Sequence, residues 1–225
     1  MGFLAEYQAF AESGTDAPTR FHEYAAMTVA GTLIGRNAYV EWGHDRIFPN
    51  LWTILLAGSS QSRKSTSVGI ARRMLVGLGR EQVTDYLLPD DFSREGLTKN
   101  LSSRAQGMFV FPEFATILKA FGLEYMGGTK ELLTHLYDSP SVHKRTLAGG
   151  EPILIRDAFV SVLAASTVEW LLDTVKEDDF RAGFYPRFIF VTGTQDKPPM
   201  IVPKKADAQV REPANGACLS GTSIT

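Results

Sequence analysis

One stretch, Trp52–Thr66, constrains the fold of this chain more than any other. It consists of an apolar strand over Trp52–Ala57, a loop of small residues over Gly58–Ser62, and then the polar run Arg-Lys-Ser-Thr that opens a helix. Backbone N–H groups in such a loop can turn toward an anion, and the positive end of the helix dipole behind the loop favours negative charge. The order of strand, loop, Lys-Ser and helix therefore predicts a phosphate-binding P-loop.

The P-loop pattern predicts a role for each residue of this stretch. Gly58 occupies the first glycine of G-x-x-x-x-G-K-S/T, whereas Arg63 stands where the second glycine normally lets the backbone approach the phosphates. We expect Lys64 to reach the β- and γ-phosphates of ATP, and the Ser65 hydroxyl to bind Mg²⁺. The alternative is a polar strand-to-helix turn in which Lys-Ser occurs by chance. The predicted nucleotide-binding residues are Gly58, Ser59, Ser60, Gln61, Ser62, Arg63, Lys64, Ser65 and Thr66.

Composition narrows the class of protein. The 225 residues, 44% hydrophobic and 21% charged with a net charge of −2, suit one α/β domain with extra elements. A near-neutral charge gives no overall attraction to nucleic acid, so any DNA contact must come from a local patch. The single cysteine, Cys218, excludes an intrachain disulfide and fits a reducing compartment. Without a long apolar run or a secretory signal, we expect a cytoplasmic protein that does not associate with membranes.

The order of patterns predicts three regions. Residues 1–50 are expected to form N-terminal helices, one of them capped by Asp16, and a small hairpin packed on the core. Residues 51–197 form the core, in which near-continuously apolar strands alternate with helices, and this alternation is typical of a parallel sheet covered on both faces. Residues 198–225 are predicted to be a disordered or truncated tail. Within the core we expect a hairpin around Ala148-Gly149-Gly150 and an acidic loop over Lys176–Asp179.

An acidic residue follows a second buried-type strand. Met108–Phe111 is apolar and is followed by Pro112 and Glu113, at the end of the strand where open α/β sheets bind ligands. We expect this strand to neighbour the P-loop strand, so that Glu113 faces the γ-phosphate, helps to hold Mg²⁺ and orients water. Pro112 replaces the aspartate that usually precedes this acid. The alternative is that Glu113 caps the helix that follows.

Two further positions are candidates for catalysis. Thr167 ends the most strand-like run of the chain, and its hydroxyl can lie beside the attacking water as a sensor, cap the next helix, or do both. Arg187 precedes the last strand and can pair with the γ-phosphate of its own or a neighbouring subunit as an arginine finger. The alternative for Arg187 is a surface ion pair with Asp178 or Asp179.

Lys144 and Arg145 lie near the tip of the predicted hairpin. A basic hairpin tip can contact the backbone of single-stranded DNA, although charge also protects a solvated edge strand from aggregation. The four histidines show no metal-ligand spacing, and no G-x-S-x-G motif for a nucleophilic serine occurs.

Several motifs occur in a characteristic order: F-H-E-Y-A-A (21–26), R-I-F-P-N-L-W (46–52), A-G-S-S-Q-S-R-K-S-T (57–66), V-F-P-E-F (110–114), L-Y-D (136–138), V-L-A-A-S-T (162–167) and G-F-Y-P-R-F-I-F-V (183–191). Over residues 20–192 the chain therefore resembles a poorly characterised family of P-loop ATPases from bacteria, phages and mobile elements. Its members are often joined to primase-polymerase domains and are related to replicative helicases. The resemblance implies a RecA/AAA-like core that works on DNA as an oligomer. It assigns Lys64 and Ser65 to phosphate and Mg²⁺, Glu113 to the catalytic acid, Thr167 to the sensor and Arg187 to the arginine before the last strand.

These observations predict an ATP- and Mg²⁺-dependent, helicase-like P-loop ATPase that serves the replication of a phage, plasmid or mobile element. Two other hypotheses remain open. One is a nucleotide-binding switch with little turnover, for which Pro112 is the motivating feature. The other is an oligomerisation or primase-docking domain with a vestigial P-loop.

Overall fold

The computed structural model describes residues 2–58, 63–77, 86–146, 151–194 and 197–200. The protein is mixed α/β, with a four-stranded, all-parallel sheet flanked by helices, and this arrangement is compatible with a RecA-like fold. The predicted α/β class and parallel sheet are thus confirmed. No helix among these residues is both long enough and apolar enough to cross a bilayer.

The elements follow one another along the chain much as the patterns predict. The helices are α1 (Phe3–Gly14), α2 (Thr19–Ile34), α3 (Lys64–Gly77), α4 (Arg94–Ser103), α5 (Phe114–Ala120), α6 (Thr129–Tyr137), α7 (Val168–Thr174) and α8 (Glu177–Arg181). The strands are β1 (Val40–Trp42), β2 (Asp45–Ile47), β3 (Trp52–Leu56), β4 (Gln106–Phe111), β5 (Val142–Arg145), β6 (Ile153–Arg156), β7 (Phe159–Ser166) and β8 (Phe188–Thr192). β1 pairs with β2, and β5 with β6, as the two predicted antiparallel hairpins.

The predicted acidic loop over Lys176–Asp179 is wrong, because Glu177 begins the short helix α8. Lys176 takes the extended conformation of an N-cap residue, and the first turn holds three consecutive acidic residues. Negative charge in a first turn is stabilised by the helix dipole, so a run that looked like a solvated loop favours a helix start.

The order of strands in the parallel sheet is β4–β7–β3–β8. Every residue of β3 and β7 is buried, as expected for interior strands covered on both faces. Leu56 of β3 lies opposite Ser166 of β7 and opposite Thr192 of β8, so these strands end at one common edge. The strand β7 therefore separates β4 from β3, and the expectation that Glu113 follows a direct neighbour of the P-loop strand is wrong.

Two hydrophobic clusters cover the two faces of the sheet. On one face, α1, α2 and α3 pack against alternate strand residues such as Leu55, Leu163 and Val191. On the other face, α4 to α7 pack against Trp52, Ile54 and their neighbours. The Trp52 indole N–H also donates a hydrogen bond of 2.9 Å to the Val160 carbonyl, so this large buried side chain leaves no polar atom without a partner.

Asp16 joins three distant parts of the chain. Its side chain, 7% exposed, forms an ion pair with Arg63, which immediately precedes α3. The Met200 backbone N–H donates to the same carboxylate at 2.8 Å, and the Arg63 guanidinium donates to the Met200 carbonyl at 3.2 Å. Asp16 therefore does not cap α2 as predicted; Pro18 holds the N-cap position, without a side-chain cap. Residues 198–200 of the predicted tail take part in this junction, whereas residues 201–225 lie outside the described residues.

We expect Asp16→Asn to lower the free energy of unfolding at pH 7 by about 1–2 kcal/mol, because charge-assisted hydrogen bonds are lost at a buried position. Burial raises the pKa of Asp16, but hydrogen bonds from Met200 and the Arg63 charge outweigh burial and hold that pKa below its usual value. The stabilisation is therefore complete above the unfolded pKa of about 4 and is lost as the pH falls through the lower folded pKa. Urea unfolding at pH 7 and pH 3 measures this difference, which should shrink at pH 3.

Asp90→Asn is the matched control, since Asp90 pairs with Arg72 at 3.5 Å on the exposed surface. We expect a change below about 0.5 kcal/mol at either pH. An equal loss of stability in both variants, or a loss in Asp16→Asn that does not depend on pH, would contradict the assignment.

Candidate functional site

A crevice opens at the common edge where β3 and β7 end. The helix after β3 is α3, which packs on one face of the sheet, while the helix after β7 is α7, whose Leu171 packs on the opposite face. Adjacent parallel strands whose following helices diverge in this way create the crevice in which open α/β sheets bind ligands. The P-loop stretch and Thr167 flank this crevice from its two sides.

Lys64 is the first residue of α3, and its ammonium group is folded back over the loop. Its Nζ donates a hydrogen bond of 2.9 Å to the Gly58 carbonyl, so the two ends of the predicted phosphate loop meet. Partial burial lowers the pKa of Lys64, and the nearby negative charge of Glu169 opposes that shift. No described atom lies within 4 Å of the position where a Cβ on Gly58 would stand, which leaves open space at the start of the loop.

The remaining loop residues divide into two groups. Ser65 is exposed and Thr66 is half-buried, both in the first turn of α3, where backbone N–H groups lack partners within the helix. The predicted ligands Ser59, Ser60, Gln61 and Ser62 lie outside the described residues.

Arg63 adopts a backbone conformation that favours glycine. Its φ is 43°, in the left-handed region that side chains other than glycine enter at a cost. The P-loop pattern has glycine at this position, so the backbone here keeps a conformation that glycine adopts without strain, although the residue is arginine. The ion pair with Asp16 stabilises the side chain and offsets part of that cost.

Glu113 lies at the same edge of the sheet as Lys64. Phe111, the last residue of β4, pairs with Ala164, so Glu113 is level with Ser166 at the end of β7. Two strand spacings separate β4 from β3, which is about 10 Å. Glu113 stands at the N-cap position of α5, but its exposed side chain makes no capping hydrogen bond. The carboxylate is therefore not engaged in capping, which was the alternative considered for it.

Thr167 caps α7, since its hydroxyl accepts a hydrogen bond of 3.1 Å from the Trp170 backbone N–H. The capping alternative is thus confirmed, and it leaves the hydroxyl beside the crevice. Ser166 is buried, and its hydroxyl donates to the Thr167 carbonyl at 3.0 Å. Because these bonds fix the start of α7, they also fix the direction in which its first turn faces the crevice.

Arg187 lies far from this crevice. It precedes β8, whose first residue, Phe188, pairs with Trp52 at the start of β3, so Arg187 stands at the opposite edge of the sheet. Five residues of strand amount to about 16 Å, which excludes contact with a ligand in the crevice of the same subunit. Its guanidinium binds both carboxylate oxygens of Asp138, at 3.0 and 3.1 Å, rather than Asp178 or Asp179. Asp179 pairs with Lys130 instead.

The two basic hairpin residues point in different directions. Lys144 is exposed, while Arg145 is half-buried and donates to the Thr98 hydroxyl of α4 at 3.2 Å. Burial and the neighbouring charge of Arg94 lower the pKa of Arg145. Residues 147–150, which include part of the predicted tip, lie outside the described residues.

Sequence reasoning missed Glu169. It is the second residue of α7, three residues beyond Ser166, and its charge acts on Lys64. An acidic residue in the first turn of a predicted helix is a common signal, and it becomes specific only once the sheet order places β7 beside β3.

The donors at this edge fit a divalent cation held mainly by a bound ligand. The described residues contain no cluster of three or more His, Cys, Asp or Glu side chains able to hold a metal ion alone. The Ser65 hydroxyl and the carboxylates of Glu113 and Glu169 are exposed oxygen donors near the crevice. Mg²⁺ prefers this chemistry, since it usually takes one or two protein oxygens together with phosphates and water.

Comparison with known proteins leaves the assignment to these residues alone. No protein-family model matches the chain, and no curated protein matches it.

Proposed function

We propose that this protein binds ATP with Mg²⁺ in the crevice between β3 and β7 and hydrolyses it as a P-loop ATPase. One observation carries the proposal: the Lys64 ammonium group lies over Gly58 at the start of α3, at the same sheet edge as the exposed carboxylate of Glu113. A cation at a helix start and an acid two strands away are the parts that phosphoryl transfer requires.

Each residue then has a distinct task. The loop from Gly58 to Ser65 surrounds the phosphates, and Lys64 neutralises charge that develops on the transferred γ-phosphoryl group. Glu113 orients a water molecule for in-line attack, and the Thr167 hydroxyl lies where it can contact that water while it still caps α7. Bound Mg²⁺ would add charge neutralisation between the β- and γ-phosphates, with Ser65 as its protein ligand.

Action on DNA and oligomerisation form the outer part of the proposal. The ordered motifs resemble those of helicase-related ATPases joined to primases, which motivates a helicase-like role in the replication of a phage, plasmid or mobile element. Exposed Lys144 is the better candidate of the two hairpin residues for a phosphate contact on single-stranded DNA. Arg187 can serve as an arginine finger only toward the nucleotide of a neighbouring subunit, so that role requires an oligomer.

A nucleotide-binding switch with little turnover is the second candidate. The observation that favours it is the position of Pro112, which leaves Glu113 without a preceding carboxylate at the end of β4. Binding and turnover must therefore be tested separately.

Lys64→Ala should weaken ATP binding by about 100-fold, because the phosphates lose their one identified cationic partner in the loop. Isothermal titration calorimetry with ATP and Mg²⁺ measures the affinity, and thermal unfolding checks that the variant is folded. Lys99→Ala removes an exposed lysine that pairs only with Glu95, and it should leave the affinity within about threefold of wild type. Wild-type affinity in Lys64→Ala would contradict the phosphate-binding role.

Glu113→Gln should retain ATP binding while the rate of hydrolysis falls by about 100-fold or more, because water loses its general base. The fold should tolerate this change, since the Glu113 side chain makes no capping bond. Phosphate release with and without single-stranded DNA is the measurement, and Glu124→Gln, in the turn after α5, is the control. A wild-type protein that binds ATP but never releases phosphate would favour the switch.

A further inference from the structure

Glu169 occupies a defined position across the crevice from Lys64. Ser166 pairs with Leu56, and Thr167 fixes the start of α7, so the first turn of α7 stands beside the loop that begins at Gly58. Lys64 reaches that loop from α3, which lies on the other face of the sheet. One acidic and one basic side chain thus face the crevice from its two walls.

The two charges interact without pairing directly. The field of Glu169 acts on the Lys64 ammonium group, yet the two form no ion pair in the described part of the chain. The nearest counter-charge of Lys64 is thus on the far wall, and its hydrogen bond goes to a neutral carbonyl. A ligand in the crevice meets the attraction of Lys64 and the repulsion of Glu169 together.

This arrangement distinguishes ligands by their charge. A free nucleoside triphosphate is a strongly negative polyanion, and a bound divalent cation cancels much of that charge. Repulsion by a fixed carboxylate grows in proportion to the charge of the ligand, whereas the geometric fit of the phosphates to the loop is the same for both forms. A carboxylate facing Lys64 therefore penalises the free polyanion most.

We infer that Glu169 is a specificity-determining residue that makes the site select the nucleotide complexed with a divalent cation over the free nucleotide. The inference rests on the proposed function, because it concerns the same phosphate site. It adds a role for a residue that the motifs do not include, and it assigns the crevice a charge filter formed by its two walls.

The test compares ATP affinity in excess Mg²⁺ with ATP affinity in excess EDTA, by isothermal titration calorimetry. Glu169→Gln should tighten binding of free ATP by about tenfold and change binding of the Mg²⁺ complex by less than about threefold. Glu169→Asp keeps the charge and should preserve the wild-type preference. Glu177→Gln removes a similar charge from α8, where the side chain is 78% exposed, and should change neither affinity.

The outcomes separate the inference from the proposed function. If the wild type binds ATP in neither condition, the phosphate site itself is wrong, and the inference falls with it. If the wild type binds ATP but Glu169→Gln changes both affinities equally or changes neither, the inference is overturned and the proposed function stands. A shift of the same size in Glu177→Gln would also overturn it, since the effect would then come from overall charge.

Discussion

The parallel pairing of β3 with β7 is the constraint on which the rest of the structure depends. Five consecutive residue pairs, from Trp52 with Val162 to Leu56 with Ser166, set the register, and both strands are fully buried. Because the side-chain period of a strand is two, a shift by one residue would exchange the two hydrophobic faces. The same register brings the starts of α3 and α7 together from opposite faces, so packing of the core and formation of the crevice have one cause.

The second constraint acts from outside the sheet. Arg63 needs a left-handed φ at the point where the loop enters α3, and the buried carboxylate of Asp16 holds its side chain there. The same carboxylate accepts the Met200 N–H, and Lys197 pairs with Glu12 of α1 at 3.1 Å. The N-terminal helices and the segment after β8 thus stabilise the loop–helix junction, which ties the conformation of the candidate site to parts of the chain that carry none of its predicted chemistry.

The sequence predicts local features of this protein well and long-range relations poorly. Apolar runs and turn residues predicted the strands and helices, since those signals act over a few neighbouring residues. Strand order is different: β7 lies between β3 and β4, and no local pattern indicates that insertion. The partners of Asp16 and Arg187 are likewise distant in sequence, so the predictions of a helix cap and of an ion pair with Asp178 or Asp179 were wrong.

The inserted strand also explains why the candidate site has two acidic walls. A carboxylate after β4 is held about two strand spacings from β3, which leaves room for a ligand and a water molecule between Glu113 and Lys64. The strand that creates this gap must itself end in a helix, and the first turn of that helix brings Glu169 to the crevice. A sheet in which β4 paired directly with β3 would offer one acid close to the lysine. The observed order separates the acid suited to orienting water from the acid that acts on Lys64, and it allows the two carboxylates to have different roles in one site.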